Sequence, residues 1–273
     1  MEYTISWLTK IVNLYLGHAA MTLLTALHIT PTHPETPIPE QVVMSVVVLL
    51  IGTLLALFLR SKLSVERPGA TQQLAELLIT NSQGFGMRDI LRENAGHDAD
   101  QYLYLVGSIA LFVLIGNLFG VVPTILNPPT SDKTVPLAGA ILVFLYFNYK
   151  GIRKHGIFGY LKSFTGGVHW SLIPLIFPVE IISTCARLLS LTVRLWANIF
   201  ASDLLYELFL MLFAQVSLWG WEKYHGLGVA LGILPATIPI LFLGLHAFVS
   251  FVQAYVFTIL PSVYLGMATA EEH

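Results

Sequence analysis

Charge along this chain is bunched, and the stretches between the bunches are apolar. Residues 41–59 hold no Asp, Glu, Lys or Arg, and such a run matches the ~20 residues a helix needs to cross a bilayer. Arg60, Lys62 and Arg67 follow at once, and Pro68-Gly69 breaks the chain. Residues 71–93 mix polar and apolar positions, carry Arg88 and Arg92, and read as an amphipathic surface segment. No charge occurs between Asp100 and Asp132, so 103–122 predicts a second span, ending in Gly116-Asn-Leu-Phe-Gly-Val-Val-Pro123. Residues 127–133 form a turn, 135–149 a third, shorter apolar run, and Lys150, Arg153 and Lys154 close it. Ahead of all this, the Pro-rich stretch 31–39 is a connector that no helix interior accommodates. Residues 1–30 are semi-apolar, with Lys10, Asn13 and His18, and read as an interfacial helix rather than a signal peptide.

The last hundred residues follow a different rule. Residues 170–221 are apolar yet hold Glu180, Arg187, Arg194 and Asp203, and 224–270 contain no Asp, Glu, Lys or Arg at all. Either stretch as one helix would run roughly 70 Å at ~1.5 Å per residue, against a hydrocarbon core of about 30 Å. These segments are therefore broken, or lie unusually flat in the membrane. Pro235 and Pro239 allow a bend in the second, and a short link near Lys223 makes the pair an antiparallel hairpin.

Composition narrows the class further. Of the 273 residues, 55% are hydrophobic and 11% charged, where a soluble domain carries about 25% charge. The mean hydropathy is +0.73. Helices and closed barrels are the two ways to satisfy backbone groups in lipid, and the long runs lack the alternation a barrel requires. The expectation is an all-α integral membrane protein: transmembrane helices plus two long C-terminal helices in a hairpin, either broken or strongly tilted and near-horizontal. Its parts are an outer N-terminal extension over 1–40 and a membrane domain over 41–273. The domain's spans are about 41–59, 103–122 and 135–149, and its hairpin arms about 170–221 and 226–268. The net charge of −2 is near neutral and says nothing about nucleic acid, and no nucleic-acid partner is expected. The single cysteine, Cys185, excludes an internal disulfide and reads as a packing residue. No His/Cys/Glu spacing suggests a metal, no Gly-rich loop a nucleotide, no Ser/His/Asp set a hydrolase, and no cofactor is called for. The basic clusters after the first and third runs set those ends on the cytoplasmic side and the N-terminus outside.

On a helix each residue turns about 100°. Glu180, Arg187 and Arg194 are spaced by seven and form one stripe, with Ser190 close to it and Asn198 four beyond Arg194. Asp203 falls on the opposite face and Glu207 joins it four residues on. His246, Ser250 and Gln253 make one polar stripe on an otherwise apolar helix. A charge at bilayer depth costs about 2.5–3.5 kcal/mol or more, so these groups face away from lipid. Arg holds its proton permanently, while carboxylates and His exchange theirs. A fixed cation beside a titratable path is the constellation of an ion-translocating protein. Plainer readings stand beside it: Glu180 and Arg187 as a helix-locking ion pair, His246 as a hydrogen-bonded core residue, Ser250 and Gln253 as interhelical glue.

Ser190-Leu-Thr-Val-Arg-Leu-Trp-Ala-Asn-Ile199 resembles the signature of the a subunit of F-type ATP synthases. Gly116-Asn-Leu-Phe-Gly-Val-Val-Pro123 looks like that family's element at the end of its second span, and His246, Gln253 and the tail beyond Pro261 look like its last helix. The resemblance covers roughly 40–273. It implies that Arg194 is the essential arginine facing a rotating ring of c subunits. Asn198 belongs to the same motif. It implies further that Asp203 stands where many bacterial members have Glu, that His246 and Gln253 are the paired positions of the inlet side, and that Glu180 lies on the cytoplasmic outlet side. Leu188 departs from the family, where many members have Pro.

The resemblance also implies a mechanism. A proton enters through a half-channel with Asp203, His246, Gln253 and Glu207, neutralises a ring carboxylate, and leaves near Glu180 after the ring turns, with Arg194 separating the two half-channels. The ATP chemistry is done elsewhere. The partners implied are the c ring, the b subunits of the peripheral stalk, the rest of the synthase and membrane lipid, in a bacterial inner membrane with the C-terminus cytoplasmic. A secondary ion-coupled transporter is the competing class, but its inverted repeats with broken helices in both halves are absent from the pattern. An anchoring subunit without conduction is a third.

Overall fold

The computed structural model describes residues 5–30, 34–64, 68–80, 86–121, 127–165, 170–223 and 225–270, with the side chains of residues 97, 170 and 225–239 left aside. Every regular element among the described residues is helical. Helix α1 spans Trp7–Ala26, α2 Glu40–Lys62, α3 Ala70–Ile79, α4 Met87–Ala95, α5 Ala99–Leu118, α6 Thr134–Ser163, α7 Ile173–Lys223 and α8 His225–Thr269. Short 3-10 turns at Phe119–Val121 and Pro129–Ser131 cap the segment after α5 and the entrance to α6. Five helices among the described residues are long and apolar enough to cross a membrane: Glu40–Lys62, Ala99–Val121, Thr134–Ser163, Ile173–Lys223 and Ile240–Thr269.

Helix lengths follow from where charge and Gly/Pro punctuate the chain. Helix α2 begins at Glu40, whose carboxylate suits the positive end of the helix dipole, and closes on Arg60 and Lys62 at the negative end. Helix α6 runs past the apolar run 135–149 because nothing in Lys150–Lys154 breaks a helix; its interruption comes at Gly156, with φ 73° and ψ 166°. That conformation belongs almost wholly to glycine. Helix α7 is 51 residues long with Pro178 inside its second turn, a length of about 75 Å at ~1.5 Å per residue. Helix α8 has 45 residues and is continuous through Pro235 and Pro239. So the C-terminal arms are unbroken helices, each far longer than the ~30 Å hydrocarbon core. Part of the link near Lys223, the 31–33 and 122–126 stretches and the tail after Ala270 lie outside the described residues.

The chain divides into two compact units. The first comprises Met1–Leu49, Leu114–Asp132 and Leu195–Phe251. In it Asn13 ties α1 to the Pro-rich connector with a pair of bonds, its Nδ2 donating to the Ile38 carbonyl (3.0 Å) and its Oδ1 accepting from the Ile38 N–H (2.9 Å). Glu40 Oε1 accepts from the Ser6 N–H (3.2 Å) and from Asn127 Nδ2 (2.8 Å). Val43, Met44, Val48, Leu195 and Ile199 are buried there.

The second unit comprises Leu50–Val113, Lys133–Arg194 and Val252–His273. Its core is built from Tyr102, Val106, Ala110, Ala140, Val143, Phe147, Phe257 and Leu265. Tyr160 donates to Asn148 Oδ1 (2.9 Å), closing the chain after Gly156 back onto α6. The surface segment expected over 71–93 is α3 and α4. There Gln72 pairs with the Ser64 backbone (2.8 and 3.0 Å), and Arg88 bonds Asp100 at the start of α5 (2.7 Å). A groove of about 300 Å³ lies between Phe144, Tyr160, Phe177 and Ile181, with Cys185 on its wall. Cys185 is exposed rather than packed, because its face of α7 meets this groove.

Candidate functional site

The stripe Glu180–Arg187–Arg194 is a real face of α7, but its members differ in partners. Arg187 Nη2 meets Glu180 Oε1 at 3.3 Å, with side-chain exposures of 21% and 40%. The Arg187 guanidinium also lies over the Tyr264 ring, 5.6 Å from its centroid, an arrangement the ring quadrupole favours. Arg194, two turns further on, is exposed and makes no ion pair or hydrogen bond among the described residues. The same spacing of seven that lets Glu180 reach Arg187 leaves Arg194 beyond that carboxylate. Ser190 is exposed. All of these belong to the second unit, whose α7 portion ends at Arg194 itself.

Asn198, Asp203 and Glu207 continue α7 in the first unit. Asn198 and Asp203 are half-buried and Glu207 is exposed. The four-residue spacing keeps the two carboxylates on one face. His246 is 6% exposed, and its Nδ1 lies 3.2 Å from the Ser202 hydroxyl. Ser250 is fully buried and donates to the His246 carbonyl (2.8 Å), a bond back along its own helix rather than to a neighbour. Gln253 is buried, and its Oε1 has no partner among the described residues. It belongs to the second unit, unlike the two other members of its stripe.

The structure adds residues that spacing alone did not connect to this chemistry. A Cβ built on Gly120 would overlap His246 Nε2 and stand 2.8 Å from its Cε1. The imidazole therefore fills the space that any other residue at 120 would claim. His246 Nε2 is buried without a well-formed hydrogen bond among the described residues, although the Asn117 backbone interacts with the ring, and Asn117 Nδ2 is buried without a partner among them. Asn117 is fully buried, and its Oδ1 accepts from the Thr130 hydroxyl (2.6 Å). Such orphaned buried donors and acceptors are rare and cost about 1–3 kcal/mol each when left dry. Asn117 and Gly120 lay inside a motif quoted from the sequence, but neither carried a period or charge that pointed at His246. Ser202 adjoins Asp203 and had no signal of its own.

No group of three or more His, Cys, Asp or Glu side chains among the described residues could hold a metal ion.

An all-helical polytopic protein, with titratable groups buried in apolar helices and, on α7, the Arg194 guanidinium without a counter-ion among the described residues, is the class these observations define. Comparison with known proteins narrows it. The sequence profile of the family described as ATP synthase A chain matches residues 42–266. The ATP synthase subunit a of Koribacter versatilis is 35% identical over 269 residues, covering 98% of each chain. That of Solibacter usitatus is 37% identical over 241 residues, covering 88% of this chain and 91% of its own. That of Sulfurimonas denitrificans is 38% identical over 207 residues, covering 76% and 80%. The chain belongs to the ATP synthase A chain family; it is an integral membrane protein and a membrane-sector component of an ATP synthase.

Proposed function

We propose that this chain is the proton-conducting stator subunit of a rotary ATP synthase, with two half-channels separated by Arg194. The observation that carries this reading is the state of Arg194: exposed on an apolar helix and unpaired among the described residues. A guanidinium at bilayer depth costs about 2.5–3.5 kcal/mol or more, and it keeps its proton. Its counter-charge therefore comes from another chain. A carboxylate on each subunit of a c ring supplies that charge, and supplies it in a form that can be neutralised by a proton and carried into lipid.

In this mechanism a proton enters from the outer side past Asp203, Glu207, His246 and Gln253 and neutralises a ring carboxylate. The ring turns. When the protonated carboxyl returns toward Arg194 from the other side, the fixed positive charge favours its ionised form, and the proton leaves near Glu180. Arg194 also keeps the two paths apart, because a proton cannot pass through a group that never releases one. Asn198 and Ser190 flank it, and Ser250 supports the helix that bears His246. Each proton crossing 100 mV contributes about 2.3 kcal/mol, so several are needed per ATP. The chain conducts and performs no ATP chemistry itself. The b subunits hold it still against the ring, in a bacterial inner membrane, with the N-terminus outside and the C-terminus cytoplasmic.

The test is Arg194→Ala in the assembled complex. Proton-driven ATP synthesis falls to background while the complex still purifies with its c ring. Synthesis at the wild-type rate would refute the reading.

A further inference from the structure

The second unit contains a polar cavity that the proton path does not use. Its volume is about 270 Å³, and its walls are Asp98, Gln101, Tyr102, Lys150, Arg153 and Lys154. Three cations face one acid, so the cavity is net positive, and two of its cations are held in place by neighbours. The Lys150 ammonium lies 5.3 Å from the Tyr102 ring centroid and 5.5 Å from that of Tyr146, and it donates to Gln101 Oε1 (3.4 Å). Arg153 Nη1 donates to the Tyr149 hydroxyl (3.3 Å). The Gln101 amide in turn donates to Asp98 Oδ1 (3.3 Å), partly occupying the one acid.

An apolar track leads into this cavity. Leu142, Leu145 and Tyr149 recur on α6 at spacings of three and four, end at Arg153, and are 46%, 61% and 54% exposed. The end of the stripe is where a phosphate would meet the cations. Long apolar exposure beside a basic pocket at the end of a span is the chemistry of a lipid rather than of a soluble anion.

We propose that Lys150, Arg153 and Lys154, framed by Gln101 and Tyr102, bind the phosphodiester headgroup of an anionic phospholipid whose acyl chain lies along Leu142, Leu145 and Tyr149. The site is independent of the proton path, and it stands or falls without it. Lys150 gives a directional donor over two rings, and Arg153 gives a fork that matches two phosphate oxygens. The same cations that orient the span thus also select which lipid covers it.

The experiment uses the purified complex in nanodiscs holding equal parts of phosphatidylglycerol and phosphatidylcholine, with a photoactivatable analogue of each. Labelled peptides are read by mass spectrometry. The phosphatidylglycerol analogue labels peptides containing 98–104 and 142–154 over the phosphatidylcholine one. Arg153→Gln lowers that preference about fivefold, as loss of one cation near an anionic headgroup does. Gln101→Glu puts a carboxylate into the cavity, keeps every basic residue that orients the span, and abolishes the preference. Equal labelling by both lipids overturns the proposal, as does unchanged labelling in Gln101→Glu. Loss of labelling on adding inorganic phosphate also overturns it, in favour of a soluble-anion site. Protection of those peptides by another subunit of the complex overturns it in favour of a protein interface.

Discussion

The imidazole of His246 occupies the place where a side chain at Gly120 would begin. A buried histidine so placed has one ring nitrogen at the Ser202 hydroxyl and the other against bare backbone. Glycine at 120 is thus a condition of where the ring lies, not a feature of the turn it occupies.

Gly120→Ala forces the ring or the backbone to move, at about 1–3 kcal/mol of overpacking. Proton-driven ATP synthesis falls while the complex assembles. In a His246→Ala background the same change has no further effect on the rate, because the ring it displaces is gone. The double-mutant cycle measures this, and additive losses would show that Gly120 acts elsewhere.

Ser202→Ala removes the hydroxyl at Nδ1 and leaves that ring nitrogen without its partner in a buried imidazole. The lost bond is worth about 1 kcal/mol. The expected readout is a shifted pH profile of proton uptake with unchanged assembly, and Ser202→Thr restores the wild-type profile. A profile identical to wild type in Ser202→Ala means that the hydroxyl does not tune His246.

Arg187 reads as a lock: it holds Glu180 and covers Tyr264. Arg187→Gln loses a partly exposed ion pair, about 1 kcal/mol or less, and part of a cation–π contact. The thermal midpoint of the complex drops by a few degrees at most, while ATP synthesis continues. Abolished synthesis at normal stability would place Arg187 in the conduction path itself.

Gly156 holds φ 73° and ψ 166° inside α6. Any L side chain there is strained by about 1–3 kcal/mol. Gly156→Ala destabilises the turn that brings Tyr160 back to Asn148, and limited proteolysis near 156 speeds up. Cleavage no faster than wild type contradicts the strain.

Much of this protein is local, and local physics is legible in one sequence. Hydrophobic runs bounded by charge mark α2, α5 and α6, since a span is a matter of length and of the price of a buried charge. The period of 3.6 places Glu180, Arg187 and Arg194 on one stripe, and Asp203 with Glu207 on another. The run 135–149 is short because apolarity ends there; helix propensity does not, and α6 continues to Ser163 with a kink at Gly156. The motif around Arg194 lies within one helical stretch, which is why a resemblance could be read from it.

Partnership was decided by the fold. By spacing alone Arg187 and Arg194 are equivalent, yet Tyr264, far along the chain, lies under Arg187, and Glu180 reaches it, while Arg194 has no ion pair among the described residues. Ser202 and His246 are 44 positions apart, and Gly120 is further still from the ring it accommodates. Periodicity tells which face a side chain is on; only packing decides what stands opposite it. The sequence therefore determined the helices, their polar stripes and the family, and the tertiary structure determined which charge is neutralised within the chain and which has no counter-charge among the described residues.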